Sequence, residues 1–518
     1  MKRFIFSLFG IGMILISSEA KTIDVTITPN PQDESPVIAP EIYGQFAEHL
    51  GRCIYGGIWV GEDSDIPNTK GYRNDVIEAF KELQIPVLRW PGGCFADEYH
   101  WVDGIGPKET RPKMINSNWG GTVEDNSFGT HEFFDFCELL GIEPYLSVNV
   151  GSGTVEEMAK WIEYITAEDG PQAKIRKENG REKPWNLKYV GIGNESWGCG
   201  GNFTPEEYSN VYRRYQTYAR DFDGNKLYKI ASGASDYDFN WTDVLMKNAK
   251  NHMKGLSLHY YTVWNWDDKG AATDFSPELY YYTLGKALEI DTVINHHARI
   301  MDKYDPDKKV AMILDEWGTW WNVESGTNPG HLFQQNTMRD AMVATLSLNT
   351  FHKYTDRLKM TNIAQIANVL QSMVLTDGDK MVLTPTYYVF KMYVPHQGGK
   401  YIPLEINTPL KKVDTERKDF ERHVPIVSAT ATEKDGVVTL SVANTSLEDN
   451  AKISIPLESM KIGKIERGEI LKGEKISDYN DFDSPEKVKI SDFKGAKIKN
   501  GNLEIELPEA SIVTLTLV

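Results

Sequence analysis

Cysteine is scarce in this chain. Its 518 residues hold four, Cys53, Cys94, Cys137 and Cys199, which excludes a small disulfide-stapled scaffold. Their spacings match no zinc-binding pattern, and no metal site is expected. Four cysteines allow three pairings, and the sequence assigns no disulfide. Cys137 falls in an amphipathic stretch, His131 to Leu140, and reads as packing. Positive charge is also in the minority. Lys and Arg total 56 against 74 Asp and Glu, a net charge of −18. Such a chain has no field to attract a phosphate backbone or an anionic membrane, so nucleic acid is not an expected partner. After residue 20 no apolar run approaches the length of about 18 residues that spans a bilayer, so no membrane span is expected in the mature chain. The 11% aromatic content, with 13 Trp and 25 Tyr, is what stands out. Aromatic rings stack on sugars, and they also fill large cores; composition does not separate the two.

The first twenty residues read as a targeting segment. Lys2 and Arg3 form a positive start, Phe4 to Ile16 is apolar, and Ser18-Glu19-Ala20 is a small-x-small cleavage site. This predicts a signal peptide over residues 1–20, a mature start at Lys21, and a periplasmic or extracellular protein. A membrane anchor would need a longer apolar run.

From residue 41 to about 385, short apolar strands alternate with helix-period segments. The strands are Tyr43–Glu48, Val87–Pro91, Tyr145–Asn149, Tyr189–Glu195, Lys229–Gly233, Gly255–Tyr261, Val310–Glu316 and Met360–Gln365. Near-continuous apolar strands in a βα alternation indicate a parallel sheet covered on both faces. Eight of them predict an α/β fold, a (β/α)8 TIM barrel. The alternative is a doubly wound open sheet, but the first strand lacks the Gly-rich dinucleotide fingerprint. Residues 386–518 change texture, with alternating strands at Val437–Asn444, Ile453–Pro456, Leu503–Leu507 and Ile512–Val518. They predict a C-terminal antiparallel β-sandwich, jelly-roll-like. Residues 21–40 hold one strand, Thr22 to Thr28, expected to join that sandwich.

Barrel chemistry sits at the C-terminal strand ends. There the fourth strand ends Gly193-Asn194-Glu195-Ser196-Trp197 and the seventh Leu314-Asp315-Glu316-Trp317. Two solvated loop acids are the plain alternative, but both follow apolar runs and both are followed by Trp. Glycosidic cleavage needs such a pair: one acid to protonate the leaving oxygen, one carboxylate to attack the anomeric carbon or activate water. Other strand ends carry Glu48, Arg89, Asn149, His259, Tyr261 and Gln365. They suit a neutral polyhydroxyl ligand, whose hydroxyls need paired donors and acceptors. Singly, Arg89 could be a structural ion pair, His259 a satisfied core histidine and Gln365 a helix cap. Gly92-Gly93 allows a tight turn or close ligand approach.

The runs Gly44-Gln45-Phe46-Ala47-Glu48-His49, Arg89-Trp90-Pro91-Gly92-Gly93-Cys94-Phe95-Ala96-Asp97, Gly193-Asn194-Glu195-Ser196-Trp197 and Asp315-Glu316-Trp317 resemble glycoside hydrolase family 51. The likeness runs in order from about residue 40 to 390. Its typical members are α-L-arabinofuranosidases, retaining and exo-acting, without cofactor and often oligomeric. The resemblance implies that Glu195 is the general acid/base and Glu316 the nucleophile. It implies that Asn194 binds the sugar 2-hydroxyl and Glu48 the distal hydroxyls, that Arg89 orients the nucleophile or its neighbours and keeps them charged, that Tyr261 hydrogen-bonds the nucleophile, and that Gln365 closes the sugar pocket. Trp119 would pack on the substrate. Cys94, Asn149 and His259 complete the implied substrate-binding set. The implied partner is an arabinose-containing oligo- or polysaccharide, and the implied assembly a homo-oligomer. An endo-glucanase or β-xylosidase of the same clan would use the same two acids, whereas a non-catalytic carbohydrate-binding protein would lack one.

Overall fold

The computed structural model describes residues 21–413, 422–460 and 462–518. The segment read as a signal peptide, residues 1–20, lies outside the described residues.

Eight parallel strands close into a barrel in chain order, each flanked by its sequence neighbours and the last, Leu358–Ala364, pairing with the first, Gly44–Phe46. The expected (β/α)8 barrel is therefore the fold, and the open-sheet alternative falls. The physical reason lies in strands such as Val87–Trp90 and Tyr189–Ile192, buried at every residue. A strand apolar on both faces needs cover on both, here a filled barrel interior and a ring of helices. A layer of Val87, Tyr145, Tyr189, Ile230, Ile313 and Met360 packs the barrel floor. The interior is thus a core, and the open space is left at the other end.

The C-terminal part is a sandwich of a six-stranded and a five-stranded sheet, with its own apolar core. It includes Val437–Asn444, Asn450–Pro456, Asn502–Leu507 and Ser511–Leu517. The first strand, Thr22–Pro29, lies inside the five-stranded sheet. It pairs antiparallel with Leu404–Asn407 and parallel with Asn450–Pro456, one parallel ladder in an otherwise antiparallel sandwich. The change of texture after Pro385 begins with a helix, Pro385–Tyr393, and the sheets start at Lys400–Ile402.

Helix Met338–Lys353 is buried almost throughout because it lies between barrel and sandwich. From it Asn349 donates to Ser428 Oγ at 3.0 Å, and His352 Nδ1 lies 2.8 Å from Thr430 Oγ1. Burial drives the His352 imidazole down to about 3, so it bridges Thr430 and Tyr43 uncharged. No helix among the described residues is long and apolar enough to cross a membrane.

Candidate active site

The two glutamates reach the barrel mouth by different backbone devices. Past the fourth strand the chain turns at Gly193 (φ 84°), and Glu195 itself is left-handed (φ 39°). A non-glycine residue there is strained by roughly 1 kcal/mol or more, so surrounding bonds must hold it. The Glu195 carbonyl accepts from the amides of Gly198 and Gly200, and the Asn194 amide donates to Asp97 Oδ2 at 3.1 Å. Asp97 also accepts from the amides of Val150 and Gly151, tying the second, third and fourth strand exits together. Burial raises the Asp97 carboxyl to about 7 against these amides.

The seventh strand, Ala311–Thr319, instead runs straight through its acids. Alternation would send two neighbours to opposite faces of the sheet. A register shift against the sixth strand, between Ser257 and His259, breaks the alternation. Bulges of this kind re-aim side chains near active sites. Asp315 and Glu316 accordingly both face Arg89 and His259.

Glu316 is held on both oxygens. Arg89 Nη1 donates to Oε1 and the Tyr261 hydroxyl to Oε2, each at 2.8 Å. The buried Arg89 guanidinium also donates to Asn194 Oδ1 at 2.6 Å, Ser147 Oγ at 3.2 Å and the Asp315 carbonyl at 3.1 Å, over the Phe46 ring. Burial works against its charge, but Asp315 and Glu316 raise it further above its ordinary value.

His259 stands between the acids. Its Nδ1 lies 2.9 Å from Glu195 Oε1 and 3.6 Å from Glu316 Oε2. Its Nε2 lies 3.1 Å from Asp315 Oδ1. Burial opposes charge on the ring, but Glu316, Asp315 and Glu195 outweigh it and raise the imidazole to about 10. Asp315 is the counterpart: burial opposes its charge, yet Arg89, His259 and the Tyr145 hydroxyl at 2.6 Å hold it near 2.

One oxygen each of Glu195 and Glu316 and a His259 nitrogen lie within 4.8 Å of one another. The trio has ligand types suited to a metal, but both His259 nitrogens already have carboxylate partners, Glu195 and Asp315. A second cluster, Cys94, Glu195 and Cys199, does not fit either, because Cys94 and Cys199 are joined as a disulfide. This bond supplies the pairing that the sequence left unassigned. The sequence hides it because its halves lie 105 residues apart, on the exits of the second and fourth strands. Cys53 and Cys137 remain free and buried.

A cavity of about 300 Å³ opens over the acids. Of the predicted residues, Glu48, Cys94, Trp119, Glu195, Tyr261, Glu316 and Gln365 line it. At one end Glu48 accepts from Trp119 Nε1 at 2.8 Å, Gln365 Nε2 at 3.0 Å and the Phe95 amide at 3.2 Å. Burial, then the charge of Glu316, raises Glu48 to about 7 despite these donors. A Cβ on Gly93 would lie 2.5 Å from Glu48 Oε1, so that glycine serves the approach of a carboxylate. Arg89 holds Glu316 and His259 meets Glu195 from behind, while Asn194 accepts from Arg89. Asn149 is not part of that lining. Its amide donates to the Tyr99 carbonyl and Ser152 Oγ and accepts from the amides of Ser152 and Gly153, so it caps a turn. Sequence reasoning did not select Asp97, Asp236, Trp266, Asp315 or Trp320. For Asp315 the signal was present, an acid directly beside a strand-end glutamate.

A closed barrel whose mouth brings two carboxylates together over one small cavity defines a glycoside hydrolase. The family model of the α-L-arabinofuranosidase 1 domain matches residues 79–271, and that of the α-L-arabinofuranosidase C-terminal domain matches residues 315–511. A protein of Bacteroides ovatus named an intracellular exo-α-L-arabinofuranosidase is 61% identical over 95% of each chain. A probable α-L-arabinofuranosidase C of Aspergillus niger is 32% identical over 83% of this chain and 86% of its own. The crystal structure of a family 51 arabinofuranosidase from Xanthomonas axonopodis pv. citri superposes with a TM-score of 0.91 at 47% identity, covering 96% of this chain and all of that one. The chain belongs to the α-L-arabinofuranosidases of glycoside hydrolase family 51. One expectation falls here. Export was read from residues 1–20, and the intracellular naming of the Bacteroides ovatus relative overturns it.

Proposed function

We propose that this chain is an exo-acting α-L-arabinofuranosidase that cleaves with retention, with Glu316 as nucleophile and Glu195 as acid/base. The observation that carries the reading is the pair of carboxylate oxygens within 4.8 Å across one cavity. Retaining glycosidases keep their carboxyls about 5–5.5 Å apart, and inverting ones leave more room for water. Glu316 attacks C1 of a terminal arabinofuranosyl unit, the C1–O bond to the leaving group breaks, and the Glu195 proton passes to the departing oxygen. A covalent furanosyl ester remains on Glu316. Glu195 then takes a proton from water, whose oxygen attacks C1 and frees the ester, returning arabinose with its original configuration.

The other groups act through position. Arg89 and Tyr261 each donate to one oxygen of the Glu316 carboxylate and so aim it. Glu48, tied to Trp119 and Gln365, offers acceptors to the far hydroxyls of the sugar and forms an end wall. That wall supports release of single terminal units over cleavage within a chain. Asn194, fixed by Arg89, is set to bind the 2-hydroxyl. The substrate is an arabinose-containing oligo- or polysaccharide.

The test is a panel of 4-nitrophenyl pentosides and hexosides, with the anomer of the first product read by NMR. Hydrolysis of the α-L-arabinofuranoside with the α-anomer formed first is expected. A preference for β-xyloside or β-glucoside, or first release of the β-anomer, would refute it.

A further inference from the structure

Glu195 divides its two oxygens between different neighbours. Oε1 meets His259 Nδ1 at 2.9 Å, whereas Oε2 faces sulfur, 3.9 Å from Cys94 Sγ and 3.6 Å from Cys199 Sγ. A carboxylate oxygen and the two sulfurs all lie within 4.8 Å of one another. While the disulfide is closed, the sulfurs have no thiolate to offer a metal ion.

Reduction changes the donor set. An external dithiol supplies two electrons and two protons, the Cys94–Cys199 bond breaks, each sulfur becomes a thiol, and the dithiol leaves as its own disulfide. Cys199 is exposed, so a reductant reaches the bond. A binding metal then displaces the thiol protons, and two thiolates with one carboxylate give three protein ligands of the kind that hold zinc, the fourth position being left to water. In a tetrahedral site with Zn–S near 2.3 Å and Zn–O near 2.1 Å, sulfur and oxygen stand about 3.6 Å apart. The spacings of 3.6 and 3.9 Å to Glu195 Oε2 already fit that figure. Only the sulfurs have to move, away from each other to about 3.8 Å. Rotation of the two side chains supplies that movement, with the Cα atoms 5.5 Å apart.

Opening the bond slackens the turn but does not part the two strand exits. Asp97 Oδ2 still accepts from the Asn194 amide, the Glu195 carbonyl from the amides of Gly198 and Gly200, and the Cys94 carbonyl from Asn118 Nδ2 at 3.3 Å. None of these bonds passes through sulfur. Outer partners stand ready as well. Asn194 Nδ2 donates to Cys199 Sγ at 3.9 Å, and His259 holds the other oxygen of Glu195. Such partners orient metal ligands and raise affinity.

We propose that Cys94, Cys199 and Glu195 form a site for a Zn²⁺-class ion that opens when the disulfide is reduced, and that an ion held there withdraws Glu195 from proton transfer. The lone pair of Oε2 that would carry the proton binds the ion instead. The disulfide thus guards the acid/base against metal. Binding stands on the sulfur geometry, whereas the loss of activity rests on Glu195 being the acid/base.

The full chain is reduced with a dithiol, desalted without air and titrated with Cd²⁺, whose bonds to thiolate absorb in the ultraviolet. About one ion per chain is expected, with no such band in the unreduced chain and a much weaker one in Cys94→Ser and Cys199→Ser, which retain Cys53 and Cys137. Zn²⁺ is expected to lower kcat on arabinosyl-xylotriose by about tenfold or more in the reduced chain, relative to its own metal-free rate, and a chelator to reverse the loss. The unreduced chain should keep its metal-free rate. No band after reduction, an equal band in Cys199→Ser, or equal Zn²⁺ inhibition before and after reduction would overturn the site. Should a serine variant fail to fold, the intact chain before and after reduction still decides. A full band with undiminished activity would uphold the site and count against Glu195 as acid/base, so the two failures are distinct.

Discussion

Asp315 Oδ1 and His259 Nε2 lie 3.1 Å apart beneath the two glutamates, and the opposite nitrogen of the same ring lies 2.9 Å from Glu195. The carboxylate thus fixes the ring on one side while the acid/base candidate meets it on the other. His259 is raised from 6.5 to about 10, so its pairing stabilises the fold fully below pH 6.5, fades across pH 6.5–10 and is gone above. Asp315→Asn removes the buried partner. In that variant Glu316 and Glu195 still raise the His259 ring, so its titration, followed by NMR, is expected to fall below the native one, and thermal stability to lose part of its decline between pH 7 and 10. A titration unchanged from the native chain would contradict the coupling.

The glutamates separate by leaving group. Glu316→Ala is expected to lower turnover of every substrate by about 10⁴-fold or more. Glu195→Ala is expected to slow oligosaccharides by about 10²–10⁴-fold and to spare substrates with good leaving groups in the first step. Azide should restore turnover of activated substrates in Glu195→Ala. Equal losses on good and poor leaving groups would count against the acid role.

Glu48 titrates at about 7 where an ordinary glutamate titrates at 4.5. The folded state therefore binds its proton more tightly, and stability drops as pH rises from 4.5 to 7, staying reduced above. Glu48→Gln is expected to raise the melting temperature at pH 8 and not at pH 4, with a gain on the order of 1–3 kcal/mol. KM for arabinofuranosides is expected to rise in the same variant. Calorimetry at the two pH values, with KM alongside, checks both.

The Cys94–Cys199 bond sits against the acid/base candidate, its sulfurs 3.9 and 3.6 Å from Glu195 Oε2. Reduction, or Cys199→Ser, is expected to lower kcat/KM as the Glu195 turn loosens. It also removes a cross-link over a long loop, worth up to about 4–5 kcal/mol in the chain-entropy picture. Thiol titration of the native fold should find Cys53 and Cys137 unreactive, and reduction should add the exposed Cys199.

Asn149→Ala is expected to cost stability of about 1–2 kcal/mol through four lost turn bonds, while KM moves less than about twofold. A large KM change with unchanged melting would restore it to the sugar site.

The parts legible in the sequence are those with a local cause. Strands such as Val87–Trp90 read as apolar runs because they are covered on both faces, and Glu195 and Glu316 end or follow such runs. The groups that escaped are set by non-local geometry. Asp315 faces inward only because of a register shift against the sixth strand. Asp236 and Trp266 lie on loops whose shape depends on His297 and Arg339, distant in sequence. The disulfide joins two strand exits that only barrel closure makes neighbours. Asn149 shows the converse: a strand-end amide satisfies a turn as readily as a ligand.

The placement of Thr22–Pro29 has a consequence for how the protein is made. Its parallel partner, Asn450–Pro456, lies more than four hundred positions later. During translation the ribosome delivers this strand first, yet its place in the sheet exists only when synthesis is nearly over. The barrel's strands are all delivered while this strand waits unpaired, and the two sheets of the sandwich close last, the five-stranded one needing Asn502–Leu507 and the six-stranded one Ser511–Leu517.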